Sequence, residues 1–360
     1  VLVLGIETSC DETAAAVVNG SGQILSNVIY SQIEAHRKFG GIVPELASRE
    51  HIRKIRPIVV QALEEAGVRV ADLTGIAATY GPGLVGSLLV GLTWAKAVSF
   101  AGHKPLIGVD HIEGHIYSVF PDNRDVEFPA LALVVSGGHT NLYWVQSDKG
   151  DWTHLTYRLV ARTRDDAAGE AYDKVGKLLG LPYPGGPVID RLAALGDASF
   201  RRFPVAKISD RSLDFSFSGI KTSVLRIVKE EGLVPLDEAE SRQNQERLDL
   251  LAGFQEGVVR ALVERSAAAA AELRPRSILL SGGVAANSRL KVAMAAKASE
   301  LGVAFYTPRP ILTTDNAAMI AVAGMFRLRR GERSDYTLDV NPRLKLAPSN
   351  TPSRKGRWKA

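Results

Sequence analysis

One short pattern occurs twice in this chain and restricts its architecture more than any other feature. Residues 1–6 and 14–18 are apolar runs joined by Glu7-Thr8-Ser9-Cys10-Asp11-Glu12-Thr13. Residues 130–135 and 142–145 flank Ser136-Gly137-Gly138-His139-Thr140 in the same way. Apolar runs of strand length around a small polar tip read as β-hairpins. One such hairpin in each half points to a duplicated architecture rather than one continuous sheet. At 360 residues the chain also exceeds the roughly 250–300 at which a single core stops growing, so two lobes are expected.

Helical stretches fill the intervals. Ile52, Ile55, Val59, Leu63 and Ala66 fall on one helical face, with Pro57 as a kink and Gly67 as a C-terminal cap. Residues 88–100 form an apolar helix entered from Tyr80-Gly81-Pro82-Gly83, and 106–109 a short buried strand after which Asp110 caps a further helix. In the second half, residues 166–179 and 248–273 read as helices. Strand 277–280, helix 288–301, strand 303–306 and helix 317–330 follow. Strands alternating with helices place the fold in the α/β class.

Hydrophobic residues at 46% and charged residues at 23% suit a globular enzyme, and no apolar run is long enough to span a bilayer. The apolar start meets Glu7 without a basic region before it, so it reads as a strand and not a signal peptide. A single cysteine, Cys10, excludes an internal disulfide framework and makes a reducing cytoplasm the expected compartment. The net charge of +5 favours an anionic partner. Residues 342–360 form a tail carrying Arg343, Lys345, Arg354, Lys355, Arg357 and Lys359 and no acid. Without apolar periodicity this tail is expected to be disordered, either as a solubilising extension or as a nucleic-acid-binding arm.

Three signals carry chemistry. Ser136-Gly137-Gly138 and Ser281-Gly282-Gly283 each end a strand, where glycines let backbone N–H groups approach a phosphate or carboxylate. The second precedes a helix, which would add the positive end of a helix dipole. His111-Ile112-Glu113-Gly114-His115 sets two imidazoles four apart on one helical face, a spacing that serves one metal ion. Asp315, in Thr313-Thr314-Asp315-Asn316, is the best third ligand because it opens the last helix. Two histidines and a carboxylate leave open coordination positions and suit Fe(II) or Zn(II). A zinc peptidase would need its glutamate next to the first histidine; Glu113 lies two residues on, roughly 200° round the helix, and faces away. Finally, Asp165-Asp166-Ala167-Ala168-Gly169-Glu170-Ala171-Tyr172-Asp173-Lys174 offers Asp173, and Asp190 follows the Gly185-Gly186 loop, as acceptors for a ribose. Cys10 reads as a packing residue and not a nucleophile.

The motifs at 5–13, His111-x-x-x-His115, 135–140, 165–174, Asp214-Phe215-Ser216-Phe217-Ser218-Gly219 and 281–287 together resemble the tRNA adenosine threonylcarbamoyltransferases, the TsaD family once described as glycoproteases. The resemblance runs from residue 1 to about 342. It implies a two-lobe actin/Hsp70/sugar-kinase-like fold with duplicated lobes, expected as residues 1–110 plus 317–341 and residues 111–316. It implies one divalent metal per subunit on His111, His115 and Asp315, with Fe(II) favoured over Zn(II). Contacts to ATP, ADP, AMP or an acyl-adenylate would fall on Val134, Val135, Ser136, Gly137, Gly138, Asp173, Gly186, Asp190 and Asn287. The implied partners are tRNA, a paralogous inactive subunit that pairs through lobe one, and a small ATPase, with no membrane.

The implied reaction moves a threonylcarbamoyl group from threonylcarbamoyl-AMP to the exocyclic amine of the adenosine 3′-adjacent to the anticodon, releasing AMP. Asp11, Glu12 and His139 remain alternatives for the group that takes the amine proton. A small-molecule kinase on the same fold and a non-catalytic scaffold of a tRNA-modifying complex are the rival readings. Kinases of that kind hold magnesium through carboxylates and water, whereas this sequence offers two histidines.

Overall fold

A computed structural model describes residues 1–347 apart from 207, 209 and 211. In chain order the first half holds β1 (Leu2–Glu7), β2 (Glu12–Asn19), β3 (Ile24–Ser31), α1 (Ile33–Arg37), α2 (Pro44–Ala66), β4 (Gly75–Gly81), α3 (Val85–Ala101), β5 (Leu106–Asp110) and α4 (His111–Tyr117). The second holds β6 (Ala130–Val135), β7 (Thr140–Ser147), β8 (Leu155–Arg162), α5 (Ala168–Leu179), α6 (Gly185–Ala193), α7 (Ser218–Glu230), α8 (Glu238–Arg242) and α9 (Gln245–Leu273). It ends with β9 (Ser277–Ser281), α10 (Ser288–Glu300), β10 (Ala304–Tyr306) and α11 (Ala317–Arg329). The two expected hairpins are β1–β2 and β6–β7, both antiparallel.

The chain forms two compact units. The first comprises residues 1–126, 147–155 and 307–346, and its sheet runs β3-β2-β1-β4-β5. The second comprises 127–146, 156–306 and Ala347, with the order β8-β7-β6-β9-β10. The orders correspond position by position, and in each the strand opening the hairpin pairs in parallel with the strand after it on the other side. The duplication visible in the hairpin tips is therefore a duplication of sheet topology. This is the α/β actin/Hsp70/sugar-kinase-like fold.

The unit boundaries differ from the expected breaks at 110/111 and 316/317. Helix α4 follows β5 without a connection and packs on α11, so it and the turn before α11 belong to the first unit. Trp152 rejoins that unit by packing beside Tyr117 and Phe120. The buried stripe of α2 also differs from the expected face: it runs through Ala47, His51, Ile55, Ile58, Val59 and Ala62, and Ile52 is exposed. The helix continues through Pro57 and stops at Gly67 in a left-handed conformation. The expected tail is packed where it begins. Asn341 N–H donates to the Tyr80 carbonyl at 2.7 Å, Pro342 accepts from Gly83, and Leu344 lies beside Gly81. Arg354, Lys355, Arg357 and Lys359 lie outside the described residues.

Candidate functional site

Helix α4 exists because Asp110 closes its start: one carboxylate oxygen accepts from the Ile112 and Glu113 amides at 2.7 and 3.2 Å. The i, i+4 spacing then puts the His111 and His115 rings edge to face, with centroids 4.6 Å apart. Gly114, between them, is required by close approach: a Cβ there would stand 2.8 Å from Ile320 of α11. This tight packing brings α4 to the turn carrying Asp315. The turn is held by Asn316, whose side chain donates to the Thr314 carbonyl and caps α11 through the Met319 amide. Asp315 thus precedes the N-cap of α11 and is not in its first turn.

His111 Nε2 lies 3.6 Å and His115 Nε2 3.2 Å from Asp315 Oδ1. One ligand atom from each of the three residues lies within 4.8 Å of the other two. Ligands about 2.1 Å from one ion stand about 3–3.5 Å apart, so small side-chain adjustments close the set. Two further observations fit a cation. His115 Nδ1 is buried without a hydrogen bond, its Nε2 meets only the Asp315 carboxylate at 3.2 Å, and burial lowers its pKa, so the ring presents a neutral imidazole. His111 Nδ1 lies 3.1 Å from Glu7 Oε2, which as a carboxylate can only accept; Nδ1 therefore carries a hydrogen, and Nε2 faces Asp315. Burial alone would lower the His111 pKa, but Asp315 and Glu7 overcome it and push it up to about 9, a pocket that favours positive charge.

Glu7 was not singled out in the sequence. The signal was an acid ending an otherwise apolar strand. It is fully buried, and besides His111 it accepts from the Ser9 amide at 2.5 Å and Thr79 Oγ1 at 2.6 Å. Asp11 and Glu12, on the same hairpin tip, have raised carboxyl pKa values. Burial is the main cause for both, with the nearby Asp315 charge adding to it. Glu113 points elsewhere: its carboxylate accepts from Arg327 at 2.7 and 2.9 Å. The helix-geometry argument against a peptidase base agrees with this pairing.

In the second unit, Val134 and Val135 are buried in β6, and the turn after them is closed by Ser136 N–H donating to the His139 carbonyl at 2.8 Å. Gly137 and Gly138 are exposed, and a Cβ at either would meet nothing. Gly282 is the opposite case: at φ +93° a Cβ would stand 2.3 Å from the Val135 carbonyl oxygen. The second glycine pair does not open α10 directly, as expected from the sequence. A 3-10 turn (Gly283–Ala286) intervenes, and Asn287 caps the helix through the Leu290 amide while donating to Gln255 Oε1 at 2.7 Å. Asp173 accepts from the Gly185 amide at 2.8 Å, beside Gly186 in the first turn of α6. Asp190 accepts from Ser288 N–H and Oγ at 3.0 and 2.9 Å. Asp173 and Asp190 thus fasten α5 to α6 and α6 to α10.

The remaining motif residues hold each other. Asp165 accepts from Ser216 Oγ, the Phe217 amide and Ser218 Oγ at 2.5–2.8 Å, and Asp166 pairs with Lys174 and Lys221 at 2.6 Å. The segments at 165–174 and 214–219 are two halves of one polar junction.

A family model described as tRNA N6-adenosine threonylcarbamoyltransferase matches residues 23–322. This chain belongs to the TsaD family. Proteins of that name from Anaeromyxobacter sp. and Koribacter versatilis are 52% and 49% identical to it, each alignment covering 96% of this chain and 99% of the relative. One from Geobacillus kaustophilus is 50% identical over 96% of this chain and 97% of its own. Among solved structures, full-length HypF with bound phosphate and nucleotide aligns at TM-score 0.57 and 14% identity, covering 92% of this chain and 56% of HypF. Component A of the Acidaminococcus fermentans (R)-2-hydroxyglutaryl-CoA dehydratase aligns at 0.52 and 14%, covering 91% and 99%. At these identities the two structures bear on the fold alone. As a TsaD-family member the chain is a transferase of tRNA modification. No helix among the described residues is long and apolar enough to cross a membrane.

Proposed function

We propose that this TsaD-family chain transfers the threonylcarbamoyl group of threonylcarbamoyl-AMP to the exocyclic amine of the adenosine 3′-adjacent to the anticodon of tRNA. The amine nitrogen forms a bond to the carbamoyl carbon, the bond from that carbon to the AMP phosphate oxygen breaks, and the amine gives up a proton. The donor is a mixed anhydride and arrives activated, so the protein has to orient the two substrates and stabilise the charge that gathers on the departing phosphate. The observation that carries this reading is the His111, His115 and Asp315 set, backed by the buried Glu7 carboxylate, in a chain of this family.

His111, His115 and Asp315 would hold one divalent ion, Fe(II) in preference to Zn(II), and that ion would supply positive charge to the phosphate. Glu7 keeps the His111 tautomer that leaves Nε2 for the ion. Ser136, Gly137 and Gly138 offer backbone donors to AMP or another adenine nucleotide, with Val134 and Val135 placing them and Asp173, Gly186, Asp190 and Asn287 lining its remainder. Asp11 and Glu12, with raised pKa values, suit taking the amine proton; His139 is the alternative beside the glycines.

The partners in this reading are tRNA, a paralogous inactive subunit and a small ATPase, in the cytoplasm. The paralogue would pair through the apolar surface of α2 and α3, where Ile52 and Leu89 are exposed. The test supplies the full chain and those partners with threonylcarbamoyl-AMP and tRNA. His111→Ala, His115→Ala and Asp315→Ala should each lose bound metal and modified adenosine together. Full transfer by a metal-free triad variant would remove the metal from the reading, and phosphoryl transfer to a small molecule would favour a kinase.

A further inference from the structure

Residues 8–13 carry the candidate acids Asp11 and Glu12, and the way this tip is fastened involves side chains that the reaction above does not use. His51 of α2 is fully buried. Its Nε2 lies 3.0 Å from the Cys10 carbonyl oxygen and its Nδ1 2.8 Å from Thr13 Oγ1. A carbonyl oxygen accepts only, so Nε2 bears the hydrogen. Burial keeps the ring neutral, so Nδ1 accepts from the threonine hydroxyl.

The far side of Asp11 is held as well. Its own carbonyl accepts from the Gln32 backbone amide at 3.0 Å. Gln32 is buried; its Oε1 accepts from His36 Nε2 at 3.2 Å, and His36 Nδ1 accepts from the Val43 amide at 3.3 Å. The peptide planes before and after the Asp11 Cα are therefore each pinned through their carbonyl oxygens. Fixing both planes sets φ and ψ at Asp11, and with them the direction in which its side chain leaves the backbone. Two imidazoles in the middle of an apolar unit, each with both nitrogens engaged, are costly to place and specify one geometry.

We infer that His51 is a positioning residue for transfer, holding the Cys10–Asp11 peptide so that the Asp11 carboxylate keeps its reactive orientation. The inference rests on the reading that the hairpin tip takes part in the reaction. It differs from a packing role because it depends on one hydrogen bond, from Nε2 to a main-chain oxygen, and not on the volume of the ring.

The experiment compares His51→Gln, His51→Asn and His51→Ala in the full chain with its partners. Glutamine places an amide N–H where the ring Nε2–H stands; asparagine is too short to reach Cys10 but can still accept from Thr13. Loss of the bond should lower kcat by about tenfold or more in His51→Asn and His51→Ala, since misplacement of a reacting group by about 1 Å costs up to about 10²-fold. The KM for tRNA and the metal content should stay at wild-type values, and His51→Gln should recover most of kcat. Equal activity in His51→Gln and His51→Asn, or an unchanged kcat in His51→Asn, would overturn the assignment, as would metal loss in step with activity. If His51→Ala does not fold, the glutamine and asparagine pair decides. A wild-type chain that transfers nothing would instead refute the transfer reading.

Discussion

Replacing Glu113 by glutamine separates the transferase from a peptidase at a position where the structure sets the energetic cost. The Glu113 side chain is 3% exposed and its partner Arg327 is 24% exposed, joined at 2.7 and 2.9 Å. Hydrogen bonds to charged groups are worth about 1.5–3 kcal/mol and neutral ones about 1. Glutamine keeps one acceptor in place. Arg327 also retains the Gly108 carbonyl at 3.1 Å and Glu332 at 3.7 Å. The change should therefore cost about 2 kcal/mol, less than the roughly 3–5 kcal/mol lost when a partner of a buried pair is deleted outright. Urea unfolding of wild type, Glu113→Gln and Glu113→Ala should rank them in that order. At a urea concentration where all three are folded, Glu113→Gln should hold the same metal and modify tRNA at the same rate as wild type. An undiminished urea midpoint with lost metal or lost transfer would show that Glu113 acts at the metal, against its pairing with Arg327. Metal-dependent peptide cleavage that disappears in Glu113→Gln would restore the peptidase.

Four other changes test separate parts of the structure. Cys10→Ser should retain most transfer activity, because burial and the neighbouring Asp11 and Asp315 charges hold the thiol well above its ordinary pKa; an acyl group trapped on Cys10 would refute this. Gly282→Ala should lower stability by about 3 kcal/mol or more, from a glycine-only backbone conformation plus contact with Val135, whereas Gly137→Ala should stay within about 0.5 kcal/mol and still weaken AMP binding. Equal stabilities in urea would contradict the first half, and unchanged AMP affinity the second. Removing residues 348–360 should weaken tRNA binding and flatten the dependence of log K on log salt by about 3 if four phosphates are released, since the log–log slope is about 0.7–0.9 per phosphate. The cut begins at 348 because residues 341–344 pack against β4 and its loop, and an unchanged slope would leave the segment a solubilising extension.

Much of this protein can be read locally. The two hairpins, the Asp110 cap, the stop at Gly67, the helical face shared by His111 and His115 and the outward turn of Glu113 all depend on residues within a few positions of one another. Backbone periodicity and capping operate over that range. The exposed position of Ile52 was not legible, because His51 one residue earlier takes the buried stripe and its polar partners lie on β2 and the hairpin tip. The unit boundaries were not legible either. Whether α4 belongs with the strand before it or the strand after it depends on its packing against α11, some 200 residues away. Sequence also left open which groups Glu7, Asp173, Asp190 and Asn287 meet within the fold, since those partners lie on other elements of the chain. Tertiary structure decided these points because a buried polar group must find a partner wherever the fold supplies one. Glu7 meets His111 across 104 residues, and Asp315 meets His115 across 200.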